Sequence, residues 1–338
     1  MFNSICIVGT GAIGGWIGAR LAATGCAVSC LARGATLAAL QTQGLRLRQT
    51  SDGSVHESAY PVRASDDPAQ LAAQGGAPDL VVIALKAPAL PQVAPRLTPL
   101  LGPQTAVLTA MNGVPWWFLH GLGGTLAGRA LTAVDPGGAI ERAIAAERII
   151  GGVVHASCSV DAPGIVRHRA GNGLIVGEPS GTQSPRLHAL AGLLQRAGFD
   201  TTVSRQIQAD IWYKLWGNMT VNPACALTGV TADKLLADDL TRDFMTAVML
   251  EAGAIGQRLG LPRMGSPEDR HAITRSLGAL KPSMVQDVEA GKPIELDALV
   301  TAVHELGHLT GVATPFTDAL LGLTRVYARA RGLYPEDN

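Results

Sequence analysis

The run Gly9-Thr10-Gly11-Ala12-Ile13-Gly14 constrains this chain more than any other feature, because of what surrounds it. It directly follows the apolar residues 5–8 and opens a helical pattern over residues 13–23. In such a strand, turn and helix, the first glycine makes the turn and the second lets a pyrophosphate approach the backbone. The third lets helix and strand pack closely, and the helix N-terminus presents free N–H groups to the phosphates. The run predicts a dinucleotide-binding site, with a plain strand-to-helix turn as the alternative.

The second predicted strand indicates which nicotinamide cofactor is bound. It covers residues 27–31 and is followed by Arg33, while no acidic residue occurs between Met1 and Gln49. An acid near this strand end usually selects NAD(H) by accepting a hydrogen bond from the ribose 2′-hydroxyl, whereas an Arg suits the 2′-phosphate of NADP(H). We therefore expect NADP(H); a solvated loop arginine is the alternative.

Composition narrows the class of protein. The chain has 338 residues, a formal net charge of +0 and five cysteines without a CxxC pair. The length suits two domains, and the charge gives no electrostatic reason for a nucleic-acid or membrane partner. The cysteine pattern indicates neither a disulfide framework nor a zinc site. With no signal peptide or long apolar stretch evident, we expect a cytoplasmic protein.

The first half alternates short apolar runs with helical segments, which is typical of a parallel α/β sheet. Predicted buried strands over residues 79–85 and 105–109 are followed by Lys86 and by Asn112. Ligands of open α/β sheets lie beyond the carboxyl ends of strands, so both side chains are candidates for the site. The alternative is that Lys86 and Asn112 merely cap the ends of their strands and have no role in a site.

After residue 149 the pattern changes. Glycine-broken β-branched runs predict two or three more strands, antiparallel, that close the same sheet up to residue 178. A helix over residues 184–197 and a short strand at 201–203 follow, and helical patterns dominate from about residue 207. We predict a Rossmann-type dinucleotide-binding domain over residues 1–204 and an all-helical domain over residues 205–338.

The helical half contains an unusual polar line. Lys214, Asn218 and Asn222 recur every four positions, which places them on one face of a helix. Trp212, Trp216 and other apolar residues cover much of the remaining surface, so this helix should be largely buried. Three polar groups on such a helix are costly unless they meet a partner. A solvated polar stripe is the alternative, and Pro223 is expected to end or bend the helix.

A ketone reductase needs a proton donor for the developing alkoxide, and Lys214 fits that role because an ordinary lysine is protonated at neutral pH. Histidines are the rival donors, but none has a comparable polar array around it. His304-Glu305-Leu306-Gly307-His308 satisfies the HExxH pattern of zinc proteases. We do not expect a metal, because the dinucleotide fingerprint already explains the chain and no third ligand is evident.

A third cluster begins at Ser283, with Asp287 one helical turn later and Glu295 opening the next helical pattern. Serine and acidic residues at helix starts are also ordinary caps. Spacing alone leaves a functional and a capping role open for these residues.

Together these motifs resemble the ketopantoate reductase family over nearly the whole chain. The similarity is carried by seven features of the sequence: the glycine run, Arg33, Leu85-Lys86-Ala87, Asn112-Gly113, the Lys214/Asn218/Asn222-Pro223 run, Ser283-Met284-x-Gln286-Asp287, and Glu295. The lysine and asparagine run and the serine block are quite specific as a pair. The resemblance implies a Rossmann domain and a helical domain with the site between them.

The resemblance also implies an activity, the NADPH-dependent reduction of 2-dehydropantoate to pantoate on the way to pantothenate and coenzyme A. It implies that Lys214 is the general acid and that Glu295 orients it. Asn218 and Asn222 would bind the substrate's hydroxyl and carbonyl side, and Ser283 its carboxylate. Asn112 would also contact the substrate, and with Lys86 it would line the nicotinamide end of the cleft. Cofactor contacts are expected from residues 9–14, Arg33, Lys86, Asn112 and Glu295. A homodimer is left open.

Three departures from the family pattern concern the substrate. Met111 stands where glutamine often precedes Asn-Gly, residues 229–232 lack an expected asparagine, and the bulky Trp116-Trp117-Phe118 run is unusual. The alternative is therefore a reductase of another branched or aromatic 2-keto acid. A non-catalytic NADPH-sensing protein is the alternative from a different class, and it would have little use for three polar residues on an apolar helix.

Overall fold

The computed structural model of the chain describes residues 2–336, except for the side chain of Ser51. These residues form two compact units. The first unit joins the residues up to Met111 with Ala139–Ile207, and the second joins Asn112–Gly138 with the residues from Gln208 onward.

The first unit is built on a single ten-stranded sheet with the order β4-β3-β9-β8-β7-β6-β1-β2-β5, in which β10 also pairs with β9. The strands are β1 Ser4–Val8, β2 Ala27–Leu31, β3 Leu45–Ser51, β4 Ser54–Tyr60, β5 Arg63–Ser65, β6 Leu80–Ile83, β7 Ala106–Thr109, β8 Ile149–Ala162, β9 Ile165–Gly177 and β10 Asp200–Val203. Its α-helices are α1 Ala12–Ala23, α2 Gly34–Gln43, α3 Pro68–Gly75, α4 Leu90–Val93, α5 Ala139–Ala143 and α6 Pro185–Arg196. The six strands from β8 to β5 pair in parallel.

The centre of this sheet is buried on both faces. Every residue of β6 and β7 is buried, as are four of the five in β1. Strands covered on both faces read as continuous apolar runs, which is why the sequence predicted them as central strands. The sequence also predicted the strands after residue 149, where the structure has two long antiparallel strands, β8 and β9.

The carboxyl ends of three strands lie side by side. Val8 of β1 pairs with Leu31 of β2 and with Ile83 of β6. The glycine run follows β1, Arg33 follows β2, and Lys86 follows β6, so all three lie at this edge of the sheet. This is the edge at which ligands of open α/β sheets bind.

The second unit is helical. Its helices are α7 Ile207–Thr228, α8 Ala232–Ala237, α9 Asp239–Arg258, α10 Pro267–Ser276, α11 Ser283–Glu289, α12 Ala302–Thr310 and α13 Pro315–Arg329, with a π-helical turn at Asp297–Thr301. α7 is buried as predicted, because the indole N–H groups of Trp212 and Trp216 donate to Ala252 O and Met249 O of α9. The fold class, an α/β part followed by a helical part, is as predicted. Among residues 2–336, no helix is long and apolar enough to cross a membrane.

Two details differ from the sequence-based expectations. The helix does not end at Pro223 but continues to Thr228, so Asn222 lies inside α7 rather than near its terminus. Proline removes only one backbone N–H donor, and tertiary packing on both sides of the position can hold the helix together.

The second difference concerns residues 112–138, which the predicted division near residue 205 placed in the first part. They pack with the second unit: the Thr132 and Ala133 N–H groups donate to the Glu305 carboxylate at 2.9 and 2.8 Å. Phe118 also packs on Trp212, with ring centroids 5.6 Å apart. These partners lie far away in sequence, so no local pattern could have assigned the segment.

Candidate active site

Residues 9–14 form a tight turn, called the glycine turn below, whose outer glycines are required by the protein itself. Gly9 has a φ of +93°, and a Cβ there would lie 2.7 Å from Leu85 Cδ2. A Cβ on Gly14 would lie 2.1 Å from the carbonyl oxygen of Gly9. The turn and the close packing of α1 on β1 therefore exclude larger side chains at both positions.

Gly11 differs from both. Its φ of −79° suits any residue, and a Cβ there would meet no atom within 4 Å. Nothing in the fold requires glycine at this position, whereas a pyrophosphate approaching the backbone would require it.

Two further observations fit a phosphate at this turn. The first turn of α1 holds no acidic residue, so its N–H groups and positive dipole end can receive an anion. The buried Thr10 Oγ1 makes no hydrogen bond with any described residue. The glycine turn therefore has the space and the donors that a dinucleotide needs.

Arg33 is the N-cap residue of α2 and is exposed. Its guanidinium makes no hydrogen bond or ion pair with another residue in the described part of the chain. The Gly9 N–H donates to Leu31 O at 3.4 Å, which ties the glycine turn to the end of β2 just before Arg33. An exposed cation at this place fits a 2′-phosphate. Lys86 is also exposed at the end of β6.

In the second unit, Lys214 on α7 lies at the centre of a polar cluster. Its Nζ donates to Asn112 Oδ1 at 2.8 Å, although the two residues are 102 positions apart. The loop that carries Asn112 is held by the neighbouring residues: the Val114 N–H donates to Ala298 O at 2.8 Å. Gly113 has a φ of +83°, and a Cβ there would lie 2.5 Å from the same oxygen. Only glycine lets this loop approach the π-helical turn so closely.

Glu295 is buried and stands just before that π-helical turn. Burial lowers the pKa of Lys214 to about 8, while the negative charge of Glu295 opposes this effect and the positive charge of Arg270 adds to it. Lys214, Asn112 and Glu295 are called the ammonium site below. π-helical turns occur often at functional sites, because they re-aim neighbouring side chains.

The two asparagines of α7 share the face of Lys214. Asn222 is buried and Asn218 is half-buried. Neither side-chain amide makes a hydrogen bond with any described residue, so both remain available to a ligand. A buried amide without a partner is costly, which argues against a purely structural role.

The structure therefore brings together Lys214, Asn112 and Glu295, with Asn218 and Asn222 on the same helix face. Ser283 is exposed in the first turn of α11, and its hydroxyl makes no hydrogen bond with any residue in 2–336, so its part in the site stays a prediction. Sequence reasoning missed Arg270, whose charge acts on Lys214. The one local signal for it was Gly217, a glycine inside the otherwise bulky apolar helix α7.

Both parts of the chain match profiles of one family. Ketopantoate reductase PanE/ApbA matches residues 5–181, and ketopantoate reductase PanE/ApbA C terminal matches residues 206–328. The chain belongs to the ketopantoate reductase family.

Individual relatives agree with this assignment. A curated 2-dehydropantoate 2-reductase from Mesorhizobium japonicum is 47% identical, covering 98% of this chain and 99% of the relative. A crystal structure of a candidate ketopantoate reductase from Ralstonia solanacearum is 53% identical with a TM-score of 0.92, covering 99% of this chain and 100% of that one. A 2-dehydropantoate 2-reductase structure from Geobacter metallireducens is 29% identical with a TM-score of 0.81, covering 96% and 99% of the two chains. The predicted family is confirmed, and with it an oxidoreductase.

In this ketopantoate reductase family member, Glu305 and His304 of the HExxH pattern contact other residues of the protein. The Glu305 carboxylate accepts from the backbone of Thr132 and Ala133, and His304 Nδ1 lies 2.7 Å from Asp318 Oδ1. Within residues 2–336, no group of three or more His, Cys, Asp or Glu residues is placed to hold a metal ion. Glu305 therefore anchors the 112–138 segment to α12.

Proposed function

We propose that the protein reduces 2-dehydropantoate to pantoate with NADPH, on the way to pantothenate and coenzyme A. The observation that carries this proposal is the ammonium site, in which Lys214 bonds to Asn112, faces the charge of Glu295 and has a pKa of about 8. The name of the 47% identical Mesorhizobium japonicum relative supports the substrate.

Lys214 is the proposed general acid. With a pKa of about 8, roughly nine-tenths of the lysine is protonated at pH 7. An acid whose pKa lies near the working pH gives up its proton readily and regains it from water. In reduction of the substrate carbonyl, the Lys214 ammonium would donate the proton that the carbonyl oxygen takes up. Asn112 and Glu295 orient the ammonium and favour its charged form.

NADPH would supply the hydride when bound. We propose that the glycine turn binds its pyrophosphate and that Arg33 binds its 2′-phosphate. Lys86, Asn112 and Glu295 remain proposed contacts to the cofactor. The unpartnered Thr10 Oγ1 and the open space around Gly11 support this assignment.

We expect the enzyme to act in the cytoplasm. Whether it forms a homodimer can be tested by sedimentation.

The free amides of Asn218 and Asn222 are proposed to bind the substrate's hydroxyl and carbonyl groups, and Ser283 its carboxylate. The alternative substrate is another branched or aromatic 2-keto acid. The Trp116-Trp117-Phe118 run does not favour an aromatic one, because all three side chains are buried and Phe118 packs on Trp212. They serve the core of the second unit.

The test is steady-state oxidation of NADPH with a panel of 2-keto acids that includes 2-dehydropantoate, 2-ketoisovalerate and phenylpyruvate. We expect the highest kcat/KM for 2-dehydropantoate. A clear preference for another acid would show that 2-dehydropantoate is not the substrate, while the proposed reduction of a 2-keto acid with Lys214 as proton donor would stand. NADPH binding without turnover of any 2-keto acid would contradict the proposed function.

A further inference from the structure

Arg270 on α10 is a half-buried cation that has no hydrogen-bond or ion-pair partner among residues 2–336. Its Nε is buried and makes no hydrogen bond, and its guanidinium forms no ion pair with any residue in the described part of the chain. Burial lowers the pKa of Arg270, since the charge has been removed from water without a carboxylate to compensate it. Such a group is expected either to cost stability or to bind an anion.

The neighbouring helix makes room for this side chain. A Cβ on Gly217 of α7 would lie 2.2 Å from one terminal nitrogen of Arg270 and 2.4 Å from its Nε. The guanidinium also lies over the ring of Tyr213, with Cζ 5.6 Å from the ring centroid. Gly217 is one turn along the helix from both Tyr213 and Lys214, so Arg270 lies next to the proton donor.

Lys214, Glu295 and Arg270 together carry a net positive charge. Two charged groups shift the pKa of the Lys214 ammonium: Glu295, which is negative, and Arg270, which is positive. Two cations and one carboxylate give a local excess of positive charge, which favours an anionic substrate. Ser283, by contrast, offers a neutral hydroxyl.

We propose that Arg270 binds the carboxylate of the 2-keto acid and thereby selects acids over neutral ketones. This inference rests on the proposed function and adds the residue that recognises the charge of the substrate. In a 2-keto acid the carboxylate is bonded directly to the carbonyl carbon, so its binding group must lie close to the proton donor. A guanidinium can hold a carboxylate with two parallel hydrogen bonds, which fixes the orientation of the adjacent carbonyl.

The test compares a 2-keto acid with its methyl ester, which keeps the ketone and removes the charge. In Arg270→Gln, we expect kcat/KM for the acid to fall by about 30-fold or more, the range of a lost charge-assisted pair. The value for the ester should change less than about threefold. Equal losses for acid and ester would show a merely structural role and overturn the proposal, as would an unchanged value for the acid.

Three further variants sharpen the result. Arg270→Lys keeps the charge but not the paired hydrogen bonds, so it should retain part of the acid selectivity. Gly217→Ala should displace the guanidinium and lose selectivity while α7 stays intact, because alanine favours a helix more than glycine does. The control is Arg275→Gln on the same helix, which removes only an exposed ion pair with Glu268 and should leave selectivity unchanged.

A pH profile gives a readout that packing alone would not move. Since Arg270 lowers the pKa of Lys214, its removal should shift the alkaline limb of kcat/KM for the ester to higher pH. If the wild-type protein reduces no 2-keto acid at all, the proposed function fails, and binding of oxamate against neutral oxamide decides the role of Arg270. Tighter binding of oxamate that Arg270→Gln abolishes supports it, and equal binding of both compounds overturns it.

Discussion

The glycine turn and the ammonium site are built in opposite ways. The turn consists of six consecutive residues and acts through backbone N–H groups, space and one hydroxyl. The ammonium site collects Asn112, Lys214 and Glu295 from three distant parts of the chain, and it acts through charge, burial and side-chain hydrogen bonding, with Lys214 Nζ 2.8 Å from Asn112 Oδ1.

This difference determines how each region should respond to substitution. In the turn, an added methyl group meets backbone atoms at 2.1 Å in one position and open space in another, so steric effects dominate. In the ammonium site, the pKa of Lys214 depends on desolvation and on two neighbouring charges, so removal of a charge dominates. Substitutions in the two regions should therefore affect different measured quantities.

The largest expected effect is that of Lys214→Ala. Loss of the proton donor should lower kcat for 2-keto acid reduction by about 100-fold or more, while NADPH affinity stays close to that of the wild type. Stopped-flow NADPH oxidation and fluorescence titration measure the two quantities. The control is Lys234→Ala, which removes an exposed lysine of α8. A kcat within a few-fold of the wild type would dismiss Lys214 as the donor.

The next effect separates two glycines of the same turn. Gly11→Ala should fold normally yet bind NADPH about tenfold more weakly, because its methyl group would occupy the space that the pyrophosphate needs. Gly14→Ala should instead lower the free energy of unfolding by about 1–3 kcal/mol, because its methyl group would clash with the Gly9 carbonyl. Thermal unfolding and fluorescence titration distinguish them. Unchanged NADPH binding in Gly11→Ala would argue against a phosphate at this position.

A smaller effect is expected for cofactor choice. Arg33→Ala should reduce the preference for NADPH over NADH by about tenfold, measured as the ratio of the two dissociation constants. Because Arg33 is exposed and has no ion pair in the described residues, the melting temperature should not change. An unaltered ratio would show that Arg33 does not bind the 2′-phosphate and is only a solvated loop residue.

The sequence predicted those parts of the molecule in which the pattern is local. The strand, turn and helix at residues 4–23 depend on neighbouring residues alone, and the polar face of α7 follows from helical spacing. The central strands could be recognised because burial on both faces leaves a continuous apolar run.

Features that depend on distant contacts could not be predicted. The assignment of residues 112–138 to the second unit rests on Glu305 and Trp212, and the course of α7 past Pro223 rests on tertiary packing. Arg270 is 53 positions beyond Gly217, and only the structure shows the guanidinium over that glycine. Likewise, the spacing of Lys214 gives no indication that burial lowers its pKa.

The central claim is that the Lys214 ammonium, stabilised by Glu295, protonates the substrate. Its most direct test is the pH dependence of kcat/KM for 2-keto acid reduction. The wild-type rate should fall as pH rises through about 8, the pKa of Lys214. Because the Glu295 charge raises that pKa, the fall should move to lower pH in Glu295→Gln. An alkaline limb in the same place for both proteins, or one that persists in Lys214→Ala, would contradict the account.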